Sequence, residues 1–145
     1  MPNESVPNES VPNGGDVQST GRTLLLVDAA NVIGSRPDGW WRDRAGAART
    51  FVGQLRAAVD SGRIDRPVVV VVEGQARQGV PNGSADGVTV LHAEGSGDDT
   101  LVDVVANASN RKVTLVTADR ELRRRAESLG SVVVGPSWLL DVLDT

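Results

Sequence analysis

The stretch LLLVDAANV at residues 24–32 decides how the rest of this chain is interpreted. Its four successive large apolar residues indicate a strand that is buried on both faces, as strands of parallel sheets are. Two polar side chains, Asp28 and Asn31, follow at once. Open parallel sheets meet their ligands at the carboxyl ends of the strands, so Asp28 and Asn31 are the first candidates for functional residues.

Strands and helices alternate along the chain that surrounds this stretch. Apolar runs predict strands at 23–27, 67–72, 88–91, 112–116 and 132–134, and helical spacing predicts helices at 43–60, 100–108, 121–129 and 136–143. Glycine, proline, asparagine and serine indicate loops at 34–39 and 75–87. The alternation predicts an α/β fold, with a parallel sheet of about five strands between helices on both faces.

Length and composition narrow the classes of protein. At 145 residues the chain has room for one domain, at 23–145, because residues 1–22 hold a polar PNESV repeat that predicts a disordered tail without a role in the site. The chain has no cysteine, which excludes disulfides, thiolate zinc sites and cysteine nucleophiles. Its one histidine, His92, cannot form a multi-histidine metal site, and we expect it to be packed or solvated.

Charge and hydropathy give weaker indications of partners and location. The formal net charge of -4 argues against a strongly basic, nonspecific nucleic-acid binder. No apolar run is long enough to span a bilayer, and the acidic N-terminus lacks the pattern of a signal peptide. We therefore expect a soluble cytoplasmic protein without a membrane partner.

Acidic residues follow most of the predicted strands. Three strands end at Asp28, Glu73 and Asp119, and the helix after the third strand opens with Asp98 and Asp99. All five side chains are expected at the same edge of one sheet. Such carboxylates repel one another unless cations neutralise them, and their hard oxygens suit Mg2+ or Mn2+, as in two-metal nucleases.

Helix capping is the alternative explanation for these acids. An aspartate at the start of a helix is a good N-cap, which alone could account for Asp98, Asp99 or Asp119. Asp28 is harder to explain in this way, because two alanines and Asn31 follow it where a cap would usually introduce a helix. Glutamate is not a favoured cap, so Glu73 also favours the metal site. Taken together, the acids predict a Mg2+ or Mn2+ site.

Three motifs, in their order and spacing, resemble a known family. The runs LLLVDAANVIG, HAEGSGDDTLVDVV and VTLVTADREL are similar to the NYN branch of PIN-like ribonucleases, and most of all to its YacP/Rae1-type bacterial endoribonucleases. The similarity spans about residues 23–135. It implies a three-layer α/β/α PIN-like fold and metal-dependent cleavage of single-stranded RNA that leaves a 5′-phosphate and a 3′-hydroxyl.

The resemblance also implies roles for individual residues. Its first aspartate corresponds to Asp28 and its asparagine to Asn31, which would orient a metal-bound water or the scissile phosphate. The acid that opens the helix corresponds to Asp99, with Asp98 beside it, and the acid after the fourth strand to Asp119. Asp28, Asn31, Asp99 and Asp119 are thus the predicted catalytic residues, and Asp28, Asp98, Asp99, Asp119 and Glu73 the predicted metal ligands. Asp103, one helical turn after Asp99, is either a further ligand or a solvated acid.

The chain departs from the family pattern at two places. The family commonly has Gly-Tyr where this chain has Ala29 and Ala30, and an aspartate where Glu73 stands. Neither change removes a carboxylate, but both keep a second interpretation open, namely a catalytically inactive PIN-like module that binds RNA or a ribosome-associated partner.

Arginines and tryptophans are the candidate contacts to single-stranded RNA. Arginine donates paired hydrogen bonds to phosphate, and tryptophan stacks on unpaired bases. The predicted RNA-binding residues are Arg120, Arg124, Arg36 and Trp40, and further candidates are Arg42, Arg44, Arg77 and Arg123. The alternatives are that a tryptophan of the Trp40–Trp41 pair anchors the next helix to the sheet and that Arg123 forms a surface ion pair with Glu127.

Two other α/β classes with acidic edges fit less well. A receiver-type signalling domain requires a lysine after its last strand, and 132–136 contains none. A phosphatase of the haloacid dehalogenase type requires a second aspartate two residues after Asp28, where Ala30 stands.

Overall fold

A computed structural model of the protein describes residues 23–108 and 110–145. The predicted disordered tail, residues 1–22, lies outside the described residues, so what is expected of it stays a prediction. None of the described helices is long and apolar enough to cross a membrane.

The elements alternate as the sequence predicts. The strands are β1 (Thr23–Asp28), β2 (Val68–Val72), β3 (Gly83–Ala85), β4 (Val88–His92), β5 (Lys112–Val116) and β6 (Val132–Val134). The helices are α1 (Ala29–Gly34), α2 (Arg44–Asp60), α3 (Gly97–Asn107), α4 (Arg120–Ser128) and α5 (Pro136–Leu143), and two 3-10 helices cover Trp40–Arg42 and Gly74–Gly79.

One six-stranded sheet organises the described part of the chain. Its strand order is β3-β4-β2-β1-β5-β6, and every neighbouring pair is parallel except the antiparallel β3 and β4. The central strand β1 is buried on both faces. Leu25 and Val27 pack in a core with α1, α2 and α5, whereas Leu24 and Leu26 pack in a second core with α3 and α4. The predicted three-layer α/β/α fold is confirmed.

The structure corrects the interpretation of the residues after Asp28. Ala29–Gly34 forms the short helix α1, and Asp28 is its N-cap, because the Asp28 carboxylate accepts a hydrogen bond from the backbone N–H of Asn31 at 3.3 Å. The expectation that capping explains Asp28 less readily than the other aspartates is therefore wrong. Alanines are the strongest helix formers, which allows the chain to pass from strand to helix without a loop.

The loop predicted at 75–87 contains regular structure. Gly74–Gly79 is a 3-10 helix, and β3 pairs with β4 through a two-residue hairpin turn at Asp86 and Gly87. Both turn residues have positive φ, 54° and 81°. Asp-Gly is a strong hairpin signal, but the sequence Gly-Ser-Ala of β3 has no apolar alternation, so composition predicts a loop there.

Candidate active site

The predicted acidic edge exists as a place in the fold. Because β2, β1 and β5 are parallel neighbours, their carboxyl ends lie side by side. Asp28 is the last residue of β1, Glu73 follows β2, and Asp119 follows β5 by three residues. The beginning of α3 reaches the same edge, since the backbone N–H of Gly97 donates to Glu73.

Asp28 is the most buried acid of this edge, with 6% of its surface exposed. Its Oδ2 accepts a hydrogen bond from the Thr117 hydroxyl at 2.9 Å, and its Oδ1 accepts the one from Asn31. Burial raises the pKa of Asp28 to about 6, and the negative charges of Asp98 and Glu73 act in the same direction, against the two hydrogen bonds. The carboxylate therefore lies where a cation would stabilise its charged form.

Thr117 is a site residue that the sequence analysis missed. Besides donating to Asp28, its hydroxyl oxygen accepts a hydrogen bond from the backbone N–H of Asp119 at 3.1 Å. A second link runs beside it, because Asn31 Oδ1 accepts from the backbone N–H of Ala118 at 2.8 Å. The segment after β5 is thus fixed to β1 and α1. The available signal was a hydroxyl residue directly after a strand and two residues before a candidate ligand.

Glu73 connects two elements at the edge. Its Oε1 accepts a hydrogen bond from the backbone N–H of Gly97, the first residue of α3, at 2.7 Å. The Glu73 side chain does not cap the 3-10 helix Gly74–Gly79 that directly follows Glu73 in the sequence. A Cβ at Gly97 would lie 2.8 Å from this oxygen, which explains why a residue without a side chain suits the position. The contact leaves the second carboxylate oxygen of Glu73 for another partner.

Asp98 and Asp99 face different surroundings. Asp98 is partly buried, and burial raises its pKa together with the charges of Asp119 and Glu73, which outweigh the opposing charge of Arg125. The Asp99 side chain is 83% exposed, and its Oδ1 lies 3.1 Å from the Arg125 guanidinium. Asp98 is therefore the residue of the pair that belongs electrostatically to the acidic edge. We call Asp28, Glu73, Asp98 and Asp119 the acidic cluster.

Asp103 lies apart from the acidic cluster. Its side chain is exposed, and it borders a groove that also includes Leu24, at the opposite end of β1 from Asp28. This placement fits the alternative of a solvated acid.

The donors of the acidic cluster suit a hard divalent cation, but they do not converge on one. No three acidic or histidine side chains in residues 23–108 and 110–145 have a geometry that could hold a metal ion. Several of these oxygens are hydrogen-bond acceptors within the fold. Both oxygens of Asp28 and one oxygen of Glu73 accept hydrogen bonds, and Asp119 Oδ1 caps α4 through the N–H of Leu122 at 2.9 Å.

The predicted RNA-binding arginines differ in how far they are engaged. Arg36 donates to the Gln54 side chain at 3.0 Å and lies 3.8 Å from Asp144, with only 19% of its side chain exposed. Arg124 forms an exposed ion pair with Glu121 on α4. Arg120 is exposed at the first position of α4, directly after Asp119.

Two further arginines are engaged in local contacts. Arg123 pairs with Glu127 at 3.3 Å, which confirms the surface ion pair as the better interpretation of this residue. Arg77 donates to the backbone carbonyls of Gly74 and Ala93.

The tryptophans and the histidine have structural contacts. Trp40 packs against the core of α1 and α2, as expected of an anchor, whereas Trp41 is 52% exposed. The Arg44 guanidinium lies over the Trp40 ring, 4.8 Å from its centroid. The Nε2 atom of His92 lies 2.7 Å from the backbone carbonyl of Val80, so this residue is packed, as predicted.

Comparison with solved structures identifies the fold. A crystal structure of Rae1 (YacP) from Bacillus subtilis is similar to this chain with a TM-score of 0.64 and 18% identity, covering 83% of this chain and 73% of that one. A mutant of the same protein gives a TM-score of 0.63 and 17% identity, with 84% and 75% covered. The chain has a Rae1-type fold.

The Rae1-type fold agrees with the resemblance seen in the sequence motifs. No family model and no curated protein matches the chain. The likeness is therefore one of architecture.

Proposed function

We propose that this protein is a metal-dependent endoribonuclease that hydrolyses phosphodiester bonds of single-stranded RNA. The observation that carries the proposal is the acidic cluster at the carboxyl edge of the sheet, where burial, and after it the charges of neighbouring acids, raise the pKa of Asp28 and of Asp98. Perturbed carboxyl groups gathered at such an edge are typical of functional sites. The Rae1-type fold and the motif resemblance support the same activity.

The acidic cluster would hold Mg2+ or Mn2+ through Asp28, Asp98 and Asp119, with Glu73 as a direct or water-mediated ligand. When bound, such an ion lowers the pKa of a coordinated water and offsets the charge that develops on the phosphate. Asn31 would orient the attacking water or the scissile phosphate through its amide nitrogen, since its Oδ1 already accepts from Ala118. Thr117 would fix Asp28 and the segment of Asp119 in place.

Asp98 takes the role that the motif resemblance implies for Asp99. Asp99 is highly exposed and forms an ion pair with Arg125, which points to a role outside the acidic cluster. Asp98, in contrast, experiences the negative charges of Asp119 and Glu73. The role implied for Asp99 stays a prediction that a pair of variants can test.

RNA would approach across α4 and the tryptophan pair. Arg120 is the first candidate for a phosphate contact because it is exposed beside Asp119. Arg124 could exchange its exposed partner Glu121 for a phosphate at little cost, since such ion pairs contribute little to stability. Arg36, which donates to Gln54, would help to position the RNA strand, and Trp40 would offer the edge of its ring to the RNA.

A second candidate function is a PIN-like module that binds RNA or a ribosome-associated partner without cleaving it. The specific observation in its favour is that the oxygens of Asp28, Glu73 and Asp119 are used as hydrogen-bond acceptors and do not converge. In this case the acids would act as caps and links within the fold.

Cleavage of a labelled single-stranded RNA tests the proposal. Purified full-length protein is incubated with Mn2+, Mg2+ or EDTA, beside Asp28→Asn, Asp119→Asn, Asp98→Asn and Asp99→Asn variants and the exposed control Asp141→Asn. We expect metal-dependent cleavage that falls more than about 100-fold in the Asp28, Asp98 and Asp119 variants, beyond what loss of an outer-shell contact removes. Asp99→Asn and Asp141→Asn should retain most activity.

The same experiment distinguishes the two candidate functions. A wild-type protein that binds the RNA but cleaves no more than Asp28→Asn under any metal would leave the binding module as the function. Loss of activity in Asp99→Asn but not in Asp98→Asn would restore the ligand assignment implied by the motifs.

A further inference from the structure

A pocket of about 140 Å³ lies directly beside the acidic cluster. Its walls come from the first turn of α1, from Trp40 and Arg44, and from the segment that follows β2. Glu73 belongs both to the pocket wall and to the acidic cluster. A ligand in the pocket would therefore lie next to the proposed reaction centre.

The walls of the pocket combine apolar surface with a stacked cation. Ala29, Ile33 and Val72 are buried core residues and form its apolar part. On one side the Arg44 guanidinium lies 4.8 Å from the centroid of the Trp40 ring. Flat, neutral rings stack on aromatic side chains and on guanidinium planes, as unpaired bases of RNA do in their binding sites.

The size of the pocket limits its occupant. Pockets for drug-sized ligands measure about 300–1,000 Å³, so a volume of about 140 Å³ has room for a single ring system. The positive charge of Arg44 at the wall complements a phosphate attached to that ring system. A nucleobase of a bound strand has both properties.

We infer that this pocket binds one nucleobase of the RNA strand, beside the bond that the acidic cluster cleaves. The inference rests on the proposed function and adds to it a base-binding subsite, which would give the enzyme a preference at one nucleotide next to the cleavage site. Single-stranded RNA is the substrate form that the pocket favours, because a paired base could not enter it.

Ala30 keeps the pocket open. It lines the pocket, and its surface is exposed. A larger side chain at this position would fill the pocket without replacing any charged group or any buried core residue. Ala30→Leu is therefore a direct test of occupancy.

The matched control is Ala57→Leu. Ala57 is also an exposed helical alanine, and it follows Arg44 by 13 residues on α2, which corresponds to about 20 Å along the helix. A second pair, Arg44→Gln with the exposed control Arg49→Gln, tests the stacked cation and serves if Ala30→Leu does not fold, as judged by circular dichroism.

Two measurements are made on each full-length variant. Affinities for the four nucleoside 5′-monophosphates and for a short single-stranded RNA are measured from tryptophan fluorescence, and cleavage positions are mapped on an RNA of random sequence. We expect Ala30→Leu to weaken binding of the preferred monophosphate about fivefold or more, as loss of one base stack would, and to flatten the base preference at one position. Both controls should behave as wild type.

The outcomes separate this inference from the proposed function. Cleavage with unchanged base preference and affinity in Ala30→Leu and Arg44→Gln would overturn the subsite and leave the nuclease. Absence of cleavage in wild type, with weaker monophosphate and RNA binding in Ala30→Leu and Arg44→Gln but not in their controls, would overturn the nuclease and leave the subsite. Equal binding by all variants without cleavage would overturn both.

Discussion

At the scale of single residues, the site depends on how one buried carboxylate is stabilised. Asp28 is surrounded by the negative charges of Asp98 and Glu73, and its hydrogen bonds with Thr117 and Asn31 offset only part of the effect of burial. An acid held in this way destabilises the folded protein when it is ionised without a cation.

Replacement of Asp28 by asparagine is expected to stabilise the metal-free protein above pH 6. Because the pKa of Asp28 rises from its usual 3.8 to about 6 on folding, its stabilising contribution is fully present below pH 3.8 and is lost as the pH rises through 6. The loss amounts to about 3 kcal/mol at most. Urea unfolding in EDTA between pH 4 and 8 measures the difference between wild type and Asp28→Asn.

The expected difference between these two proteins grows with pH and levels off above about pH 7. A difference between wild type and Asp28→Asn that is the same at pH 4 and at pH 8 would contradict the raised pKa of Asp28. The charge of the other carboxylates is common to both proteins, so the difference isolates Asp28.

Thr117 is expected to be sensitive to loss of its hydroxyl. In Thr117→Val, Asp28 Oδ2 loses a donor and the N–H of Asp119 loses an acceptor, which should lower the free energy of unfolding by about 1–3 kcal/mol and reduce RNA cleavage. Thr117→Ser keeps the hydroxyl and should remain close to wild type in both. Chemical denaturation and the cleavage assay check this, and a Val variant equal to the Ser variant would contradict it.

At the scale of elements, the candidate site is assembled where three strands end and three helices begin. Asp28 caps α1, Asp119 caps α4, and Glu73 satisfies the first N–H of α3. Helix N-termini stabilise negative charge through their free N–H groups and the helix dipole. Glu73 and Asp119 can thus be held in place by helices through one oxygen each and still present the other oxygen to the edge, whereas both oxygens of Asp28 accept hydrogen bonds.

Gly97→Ala tests the link between Glu73 and α3. The added Cβ would lie 2.8 Å from Glu73 Oε1, so the glutamate must move and give up its hydrogen bond. We expect weaker Mn2+ binding and slower cleavage, because a member of the acidic cluster is displaced. Gly95→Ala is the matched control, since its Cβ meets no atom within 4 Å. Titration with Mn2+ compares the two, and identical affinities would contradict the role of Glu73.

At the scale of the whole molecule, apolar packing forms the core, and the repulsion between carboxylates is confined to the acidic cluster. Apolar clusters cover both faces of the sheet, and the four acids lie at its carboxyl edge. A cation that binds only the folded protein raises the free energy of unfolding by its own free energy of binding at the concentration used.

Added Mn2+ or Mg2+ is expected to raise the Tm of the wild-type protein. At a free concentration about 100 times the Kd, one ion contributes about 2.7 kcal/mol, which corresponds to roughly 5 °C or more for a domain of this size. Asp98→Asn should lose most of this shift, while Asp141→Asn should keep it. Calorimetry with and without metal tests it, and equal shifts in both variants would remove Asp98 from the site.

The sequence by itself determined the sheet and the acidic edge. Unbroken apolar runs such as Val68–Val72 belong to strands that are buried on both faces, and their alternation with helices allows only parallel neighbours, whose carboxyl ends coincide. For this reason Asp28, Glu73 and Asp119 could be placed at one edge from their positions after strands. The sequence did not predict β3, because this strand forms through its pairing with β4 across a two-residue turn and its own side chains carry no strand pattern.

Only the tertiary structure decided which atoms of the site face one another. The register that places Val27 opposite Val116 brings Asp28 beside Thr117, 89 residues away, and no local pattern encodes that distance. The choice between Asp98 and Asp99 likewise depends on how α3 packs, because adjacent helical residues point in directions about 100° apart. Chemistry at strand ends follows from local sequence, whereas partners, burial and charge at each oxygen follow from packing between distant segments.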